Sequence, residues 1–196
     1  MHSKLILFDI DYTLFDAQKY RVLRNQNISK HFNLDLEQVK IAGDDYAESI
    51  GHRLNFTASG HADYLGERFG IHGTEILNFV FSEPSHFKEA LYPDVIPAFK
   101  DLKQRGLILG IFSEGHIENQ QNKLKHTGVL EFLDSSQIYL FERKMRPENL
   151  AQIPKEALIV DDNQEIVSEL SDLNYYATAI NRSVGDTLLS INYKLA

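Results

Sequence analysis

Five short apolar runs along the chain predict the strands of a buried sheet. Three of them, residues 5–8, 107–112 and 157–160, are almost continuously apolar, and two weaker runs cover 137–140 and 176–180. Continuous apolar runs are typical of strands that are buried on both faces, as in a parallel sheet. The pattern therefore favours a sheet that is covered by helices on both sides.

Stretches with helical spacing separate most of these runs. Residues 93–105 carry apolar side chains three and four positions apart, and Gly106 stands where a glycine commonly ends a helix. Residues 116–126 and 163–173 are also predicted to be helices. Strands that alternate with helices indicate an α/β fold with a parallel sheet and right-handed crossovers.

Residues 17–90 interrupt this alternation, because they contain no convincing strand. Their apolar positions suggest about four helices. Turn signals that would divide these helices lie near Asn33, Gly51, 59–60 and 70–73. We therefore predict a core formed by 1–16 and 91–196, with a helical domain inserted at 17–90.

Composition excludes several classes of protein. The chain has 196 residues and no cysteine, which excludes disulfides, thiolate zinc sites and cysteine nucleophiles. The formal net charge of −8 argues against non-specific nucleic-acid binding, which depends on basic surfaces. No segment approaches the length of a membrane span or has the pattern of a signal peptide. We expect a soluble, cytoplasmic protein that binds neither nucleic acid nor membrane, and the oligomeric state stays open.

Polar side chains gather where the three strongest strands end. Asp9 and Asp11 follow the first run, Ser113 follows the second, and Asp161 and Asp162 follow the third. Ligands of open α/β sheets bind outside the carboxyl ends of the strands. If these strands are neighbours, four carboxylates and a hydroxyl converge. Each aspartate alone could be an ordinary helix cap or turn residue, but three such sets together are poorly explained in that way.

Crowded carboxylates repel one another unless a cation lies among them, and Mg²⁺ is the usual hard cation with oxygen ligands. Mg²⁺ also accepts a phosphate oxygen, so phosphoryl chemistry is a natural use of such a site. Asp9 could then attack phosphorus, and Asp11 could protonate the leaving alkoxide and afterwards activate water.

Four motifs carry a resemblance to the haloacid dehalogenase superfamily of phosphatases and phosphotransferases. Residues 8–16 (FDIDYTLFD) resemble its first motif, and the strand that ends in Ser113 resembles its second. Lys144 resembles the lysine of the third motif, and residues 158–163 (LIVDDN) resemble the fourth. The resemblance covers the first 16 residues and 91–182. It implies a Rossmann-like three-layer core with an α-helical cap domain inserted after the first motif.

The resemblance also implies a role for each motif residue. Asp9 would be the nucleophile, Asp11 the general acid and base, and Ser113 and Lys144 the groups that bind phosphate. The metal set would be Asp9, Asp11, Asp162 and Asp161. Of the last two, Asp162 is favoured as the direct ligand, and Asp161 would be a second ligand or a group behind it.

The function expected from these residues is Mg²⁺-dependent hydrolysis of a small phosphomonoester, a phosphorylated metabolite, through an aspartyl-phosphate. A phosphomutase or phosphotransferase acting on a sugar phosphate would use the same residues. A catalytically silent protein that binds a phosphorylated ligand is a further alternative. A dehalogenase is less favoured, because displacing a halide requires no proton donor such as Asp11.

Some positions depart from the superfamily pattern. Tyr12 stands where glycine is common, and Glu114 replaces a common asparagine and would repel phosphate unless it turns away. Lys144 lacks the usual following proline, so Arg143 or Arg146 could share its role. In the predicted cap, substrate contacts could come from Arg21, Arg24 or Arg53, although a surface position is favoured for each.

Overall fold

The computed structural model describes residues 4–82 and 84–191. It contains one parallel sheet with the strand order β3-β2-β1-β4-β5. The strands are β1 Leu5–Phe8, β2 Ile108–Glu114, β3 Ile138–Phe141, β4 Leu158–Asp161 and β5 Tyr176–Ala179. Helices flank this sheet, and the predicted α/β, Rossmann-like fold is confirmed.

Two strands end later than the apolar pattern predicts. β2 continues through Ser113 and Glu114, whose backbones pair with β3, and β4 includes Asp161, whose backbone pairs with Ala179 of β5. A strand is held by main-chain hydrogen bonds, so its last residues need not be apolar. As a result, Ser113 and Asp161 are fixed within the sheet, whereas the apolar pattern predicts that both follow it.

Nine α-helices accompany the sheet in the described residues. They are α1 Ala17–Phe32, α2 Leu36–Ser49, α3 Ala58–Phe69, α4 Gly73–Ser82, α5 Ser85–Ala90, α6 Val95–Gln104, α7 Ile117–Thr127, α8 Pro147–Leu150 and α9 Gln164–Asp172. The predicted end of α6 is confirmed, because Gly106 has a φ of +78°. That left-handed conformation costs glycine little and other residues more.

The inserted segment is helical as predicted, but its described residues, 17–82 and 84–90, contain five α-helices instead of about four. Asn33 and Gly70 end α1 and α3 with left-handed backbones, as their turn signals indicated. The turn predicted at 59–60 is wrong. Thr57 caps α3 by accepting a hydrogen bond from the Gly60 backbone, 3.0 Å from nitrogen to Oγ1, so Gly60 lies in the first turn of the helix.

The buried apolar side chains form separate clusters on the sheet and in the insertion. Both faces of the sheet are buried, and the insertion has its own apolar cluster around Ile28, Val39 and Leu65. Phe87 and Ala90 of α5 pack with the sheet's cluster instead. The last helix of the insertion is therefore anchored on the core. The domain boundary at 17–90 stays a prediction.

No helix in the described ranges has both the length and the apolar character needed to cross a bilayer.

Candidate active site

The centre of the sheet brings the predicted site residues together. β1 lies between β2 and β4, as required for their polar ends to meet. From β1 the chain adds β2 and β3 on one side of the sheet and then β4 and β5 on the other. Open α/β sheets form their ligand crevices at the point where the strand order reverses in this way. Asp9 continues the pairing beyond β1, since its backbone nitrogen donates to the Val160 carbonyl oxygen at 2.9 Å.

Lys144 joins two of the predicted carboxylates. Its ammonium donates to Asp9 Oδ1 at 2.7 Å and to Asp161 Oδ2 at 2.5 Å. Lys144 is only 1% exposed, although it lies in a loop between β3 and α8. Its basic neighbours are placed differently: Arg146 is exposed, and the Arg143 side chain donates to the Glu142 carbonyl. Of the three, Lys144 alone bridges the strand ends.

The charges of this buried group are strongly coupled. Burial raises the pKa of Asp9 to about 7, with Lys144 opposing the rise and Asp161 and Asp11 adding to it. Burial also disfavours the charged form of Lys144, but the attraction of Asp9 and Asp161 outweighs it and raises the pKa of the ammonium. Lys144 therefore stays charged, and one ammonium compensates the two carboxylates incompletely.

Asp161 and Asp162 have different surroundings. Both oxygens of Asp161 are engaged, Oδ2 by Lys144 and Oδ1 by the Asn163 backbone nitrogen at 2.9 Å. Asp162 has no ion-pair partner in the described part of the chain. Burial and the repulsion of Asp161 raise the pKa of Asp162 to about 6. Asp162 is thus the better placed of the two to accept a new cation.

A cavity of about 240 Å³ opens beside these residues. Five acidic side chains and one basic side chain line it: Asp9, Asp11, Glu114, Asp161, Asp162 and Lys144. No three acidic or histidine side chains in 4–82 and 84–191 gather closely enough to form a ready-made metal cage. Mg²⁺ keeps several waters and commonly takes only one or two carboxylates from the protein. The oxygen donors and the excess negative charge of this cavity therefore fit Mg²⁺.

Asp11 is held by helix α7. Lys123 Nζ lies 2.6 Å and 2.7 Å from the two oxygens of Asp11, and Gln120 Nε2 lies 3.1 Å from Oδ2. Neither residue was predicted from the sequence. A usable signal was present, because the two positions are three apart on a predicted helix that follows Ser113 and so share one face.

Ser113 is fully buried at the end of β2. Gln120 Nε2 donates to Ser113 Oγ at 3.2 Å and to the Glu114 carbonyl at 2.8 Å. Since its oxygen accepts from Gln120, the hydroxyl hydrogen of Ser113 can be donated to an incoming anion. Glu114 contributes to the wall of the acidic cavity, so its charge is not removed from the site.

A second cavity, of about 280 Å³, lies between the inserted helices and the core. Its wall is largely apolar, with Tyr20, Phe56 and Phe87 among the contributing residues. We call it the cap cavity. The two cavities share four residues of their walls: Asp11, Tyr12, Leu54 and Glu114. The two cavities are therefore adjacent, with these four residues between them.

The arginines predicted for the cap differ in position. Arg21 lies at the surface as expected and forms an exposed ion pair with Asp44 at 3.2 Å. The surface position expected for Arg24 is wrong, since Arg24 is buried and lines the cap cavity. It lies on the face of α1 that turns towards that cavity. The side chain of Arg53 lies outside the described residues.

The sequence matches a protein-family model described as haloacid dehalogenase-like hydrolase over residues 3–167. The chain belongs to this family. The match includes all four motifs and the inserted helices, so this haloacid dehalogenase-like hydrolase has the family's core and an insertion after the first motif. A search of curated protein sequences found no match.

Solved structures agree with this fold. A haloacid dehalogenase (HAD) phosphatase from Thermococcus onnurineus is 23% identical, with a TM-score of 0.54. The match covers 100% of this chain and 91% of the phosphatase chain. A HAD hydrolase from Bacillus subtilis with bound magnesium is 18% identical, with a TM-score of 0.60, over 95% and 90%. A defluorinating L-2-haloacid dehalogenase is 14% identical, with a TM-score of 0.62, over 98% and 89%. At these identities the likeness concerns the fold of this hydrolase, and the neighbours include both phosphatases and dehalogenases.

Proposed function

We propose that this hydrolase is a Mg²⁺-dependent phosphatase that cleaves a small phosphomonoester through an aspartyl-phosphate on Asp9. One observation carries the proposal: Asp9 lies at the strand end, bound through one oxygen to the buried Lys144, in a cavity whose wall holds five acidic side chains. Such a wall suits a divalent cation and the transferred phosphoryl group together.

Asp9 supplies the nucleophilic oxygen. Lys144 holds Oδ1, and no hydrogen bond to Oδ2 is found in the described residues, so Oδ2 is the oxygen that can attack. Attack forms the bond from Oδ2 to phosphorus and breaks the bond from phosphorus to the ester oxygen. The Lys144 ammonium and the Ser113 hydroxyl offset the negative charge of the phosphoryl oxygens.

Asp11 moves the proton. In its protonated form it donates to the leaving alkoxide as the ester bond breaks, and the resulting carboxylate then takes a proton from the water that attacks phosphorus. This second attack releases phosphate and restores Asp9. Lys123 and Gln120 hold the Asp11 carboxylate between these steps.

Asp9, Asp162 and the Asp11 backbone carbonyl would hold Mg²⁺, with Asp161 behind them as the partner of Lys144. When bound, Mg²⁺ neutralises charge on the transferred phosphoryl group and orients it towards the nucleophile. The chain itself supplies the nucleophile and the proton donor.

An assay of phosphate esters with Mg²⁺, with EDTA, and with the Asp9→Asn variant tests the proposal. We expect hydrolysis by the wild-type protein with Mg²⁺, and its loss both on chelation and in the variant. Turnover that survives both changes would overturn the proposal. Phosphate binding without turnover of any ester would favour a silent binding protein, and transfer of phosphate within a sugar phosphate would favour a mutase.

Dehalogenation can be separated from phosphate-ester hydrolysis by the position of the water oxygen. In the proposed reaction water attacks phosphorus, so oxygen from H₂¹⁸O enters the released phosphate and Asp9 stays unlabelled. In a dehalogenase, water attacks the carboxyl carbon of the alkylated aspartate, and the label enters that carboxylate. Label in the Asp9 peptide after turnover of a 2-haloacid, with no phosphate-ester hydrolysis, would replace the proposal by a dehalogenase.

A further inference from the structure

Arg24 is a buried cation without an acidic partner among the residues that the structure describes. It is 6% exposed, and its Nε and Nη2 lie 3.3 Å and 3.1 Å from one neutral acceptor, Asn25 Oδ1. No carboxylate of the described residues forms an ion pair with it. Buried arginines are uncommon unless they are paired, because removing the charge from water is unfavourable. A guanidinium held in this way can therefore bind an anion from outside the chain.

The aromatic and histidine rings described around Arg24 carry no negative charge. The rings of Tyr20 and Phe56 lie 5.7 Å and 5.4 Å from its guanidinium carbon. Burial raises the pKa of Tyr20 to about 12, so this phenol is neutral. Burial, and then the charge of Arg24, lower the pKa of His61 well below its ordinary value and that of His86 to about 4, so both rings are neutral as well.

Arg24 also faces the space that a substrate would occupy. It lines the cap cavity, whose wall meets the acidic cavity at Asp11 and Tyr12. A phosphate beside Asp9 would place its leaving group towards the cap cavity. The aromatic and aliphatic wall would contact the body of that group, and Arg24 offers it a planar set of donors.

We propose that Arg24 binds a second anionic group on the leaving group of the substrate. The substrate class is then a phosphomonoester whose alcohol portion carries a carboxylate or another phosphate. Both anions present oxygens that fit the two-pronged geometry of a guanidinium. This inference rests on the proposed phosphatase function, since it places the first phosphate at Asp9.

Matched pairs of esters test the inference, each pair differing in one anionic group. The pairs are phosphoglycolate with ethyl phosphate, 4-carboxyphenyl phosphate with phenyl phosphate, and fructose 1,6-bisphosphate with fructose 6-phosphate. Charge-assisted hydrogen bonds predict that kcat/KM for the anionic member of at least one pair is about 10–10²-fold higher. A preference in the carboxylate pairs would identify a carboxylate as the bound anion. A preference only in the bisphosphate pair would identify a second phosphate.

The Arg24→Met variant should remove this preference, mainly through KM, and should affect the neutral member of the pair much less. Arg68→Met is the matched control, because Arg68 is an exposed arginine of the insertion that pairs with Asp45 and does not line the cap cavity. Arg24→Lys keeps the charge and should retain part of the preference, which gives a second variant if Arg24→Met does not fold. Equal loss on both members, or no preference in any pair, would overturn the inference.

A binding measurement separates this inference from the phosphatase proposal. Calorimetry with 4-carboxyphenylphosphonate and phenylphosphonate requires no turnover. If the wild-type protein hydrolyses no ester, the proposed function fails, but about 10-fold weaker binding of the carboxylated probe alone to Arg24→Met would still support the anion site. Equal binding of both probes to wild type and variant would reject it.

Discussion

Lys144 carries the one positive charge in the described wall of the acidic cavity, and two buried carboxylates depend on it. A buried ion pair adds little net stability over an apolar equivalent, but removing one partner leaves the other charge uncompensated. Asp9 and Asp161 would both lose their cation if Lys144 were replaced. The resulting cost depends on whether these carboxylates are ionised.

We predict that Lys144→Met lowers the free energy of unfolding by about 3–5 kcal/mol at pH 8. The loss should be smaller at pH 5, where the raised pKa of Asp9 lets this carboxyl take up a proton. Urea unfolding at the two pH values measures both effects. Arg146→Met is the matched control, since Arg146 is exposed, and should change stability by less than about 0.5 kcal/mol. Equal effects in the two variants would contradict this account of Lys144.

The positions of some single residues in the site could be predicted from the sequence, and those of others could not. Asp9, Ser113 and Asp161 were predictable near the carboxyl edge of the sheet from the apolar runs that precede them, but the ends of β2 and β4 were not, because main-chain pairing continues beyond the apolar residues. The burial of Arg24 was not predictable. An arginine on a helix usually lies in solvent, and only the packing of α1 against the core turns this one into a cavity.

Helix α7 connects the site to the insertion. Its Gln120 and Lys123 contact Asp11, while Asn119 donates to the Phe56 carbonyl at 2.9 Å and accepts from the Ala58 backbone at 3.3 Å. The sequence predicted this helix within a residue or two at each end. The helical spacing places Gln120 and Lys123 on one face, but it does not tell which face meets Asp11, because the rotation of a helix on a sheet is set by tertiary packing.

We predict that Lys123→Met reduces turnover of an alkyl phosphate by roughly 10–10²-fold, because Asp11 loses the partner that positions it. Hydrolysis of 4-nitrophenyl phosphate should fall much less, since its leaving group requires no proton. Lys125→Met, on an exposed part of the same helix, is the control and should change neither rate. Equal losses on the two esters would show that Lys123 acts on folding or binding and does not position the proton donor.

For the whole molecule, ionisation of the buried carboxyls of the site lowers the stability of the folded state. Asp9 and Asp162 have folded-state pKa values of about 7 and about 6, above the ordinary aspartate value of 3.8. At pH values between 3.8 and these raised pKa values, the two carboxyls are protonated in the folded protein but ionised in the unfolded chain. The contribution of the two groups to stability is therefore full below about pH 4 and is lost as the pH rises to about 7.

Mg²⁺ should restore this stability where the carboxylates are ionised. We predict that the increase in unfolding temperature caused by Mg²⁺ grows from pH 5 to pH 8, measured by thermal unfolding with Mg²⁺ and with EDTA. Asp162→Asn should reduce both the increase and its pH dependence. A shift that is the same at every pH, or unchanged in the variant, would contradict a cation site at these carboxylates.

The sequence indicated the overall architecture more fully than the details of the insertion. Alternating strands and helices implied a parallel sheet, and the meeting of Asp9 with Asp161 required β1 and β4 to be neighbours, as they are. The size and lining of the cap cavity depend on how the inserted helices meet the core. No local pattern encodes that contact, so the cavity was found only in the folded molecule.

The most direct test of the central claim is to trap the phosphoryl group on Asp9. The protein would be mixed with Mg²⁺ and ³²P-labelled acetyl phosphate, quenched in acid within one turnover, and digested for peptide mapping. We predict a label that is released by hydroxylamine, lies in the peptide containing Asp9, and is absent from Asp9→Asn. Turnover without label in that peptide, or equal labelling of the variant, would contradict the assignment of Asp9 as nucleophile.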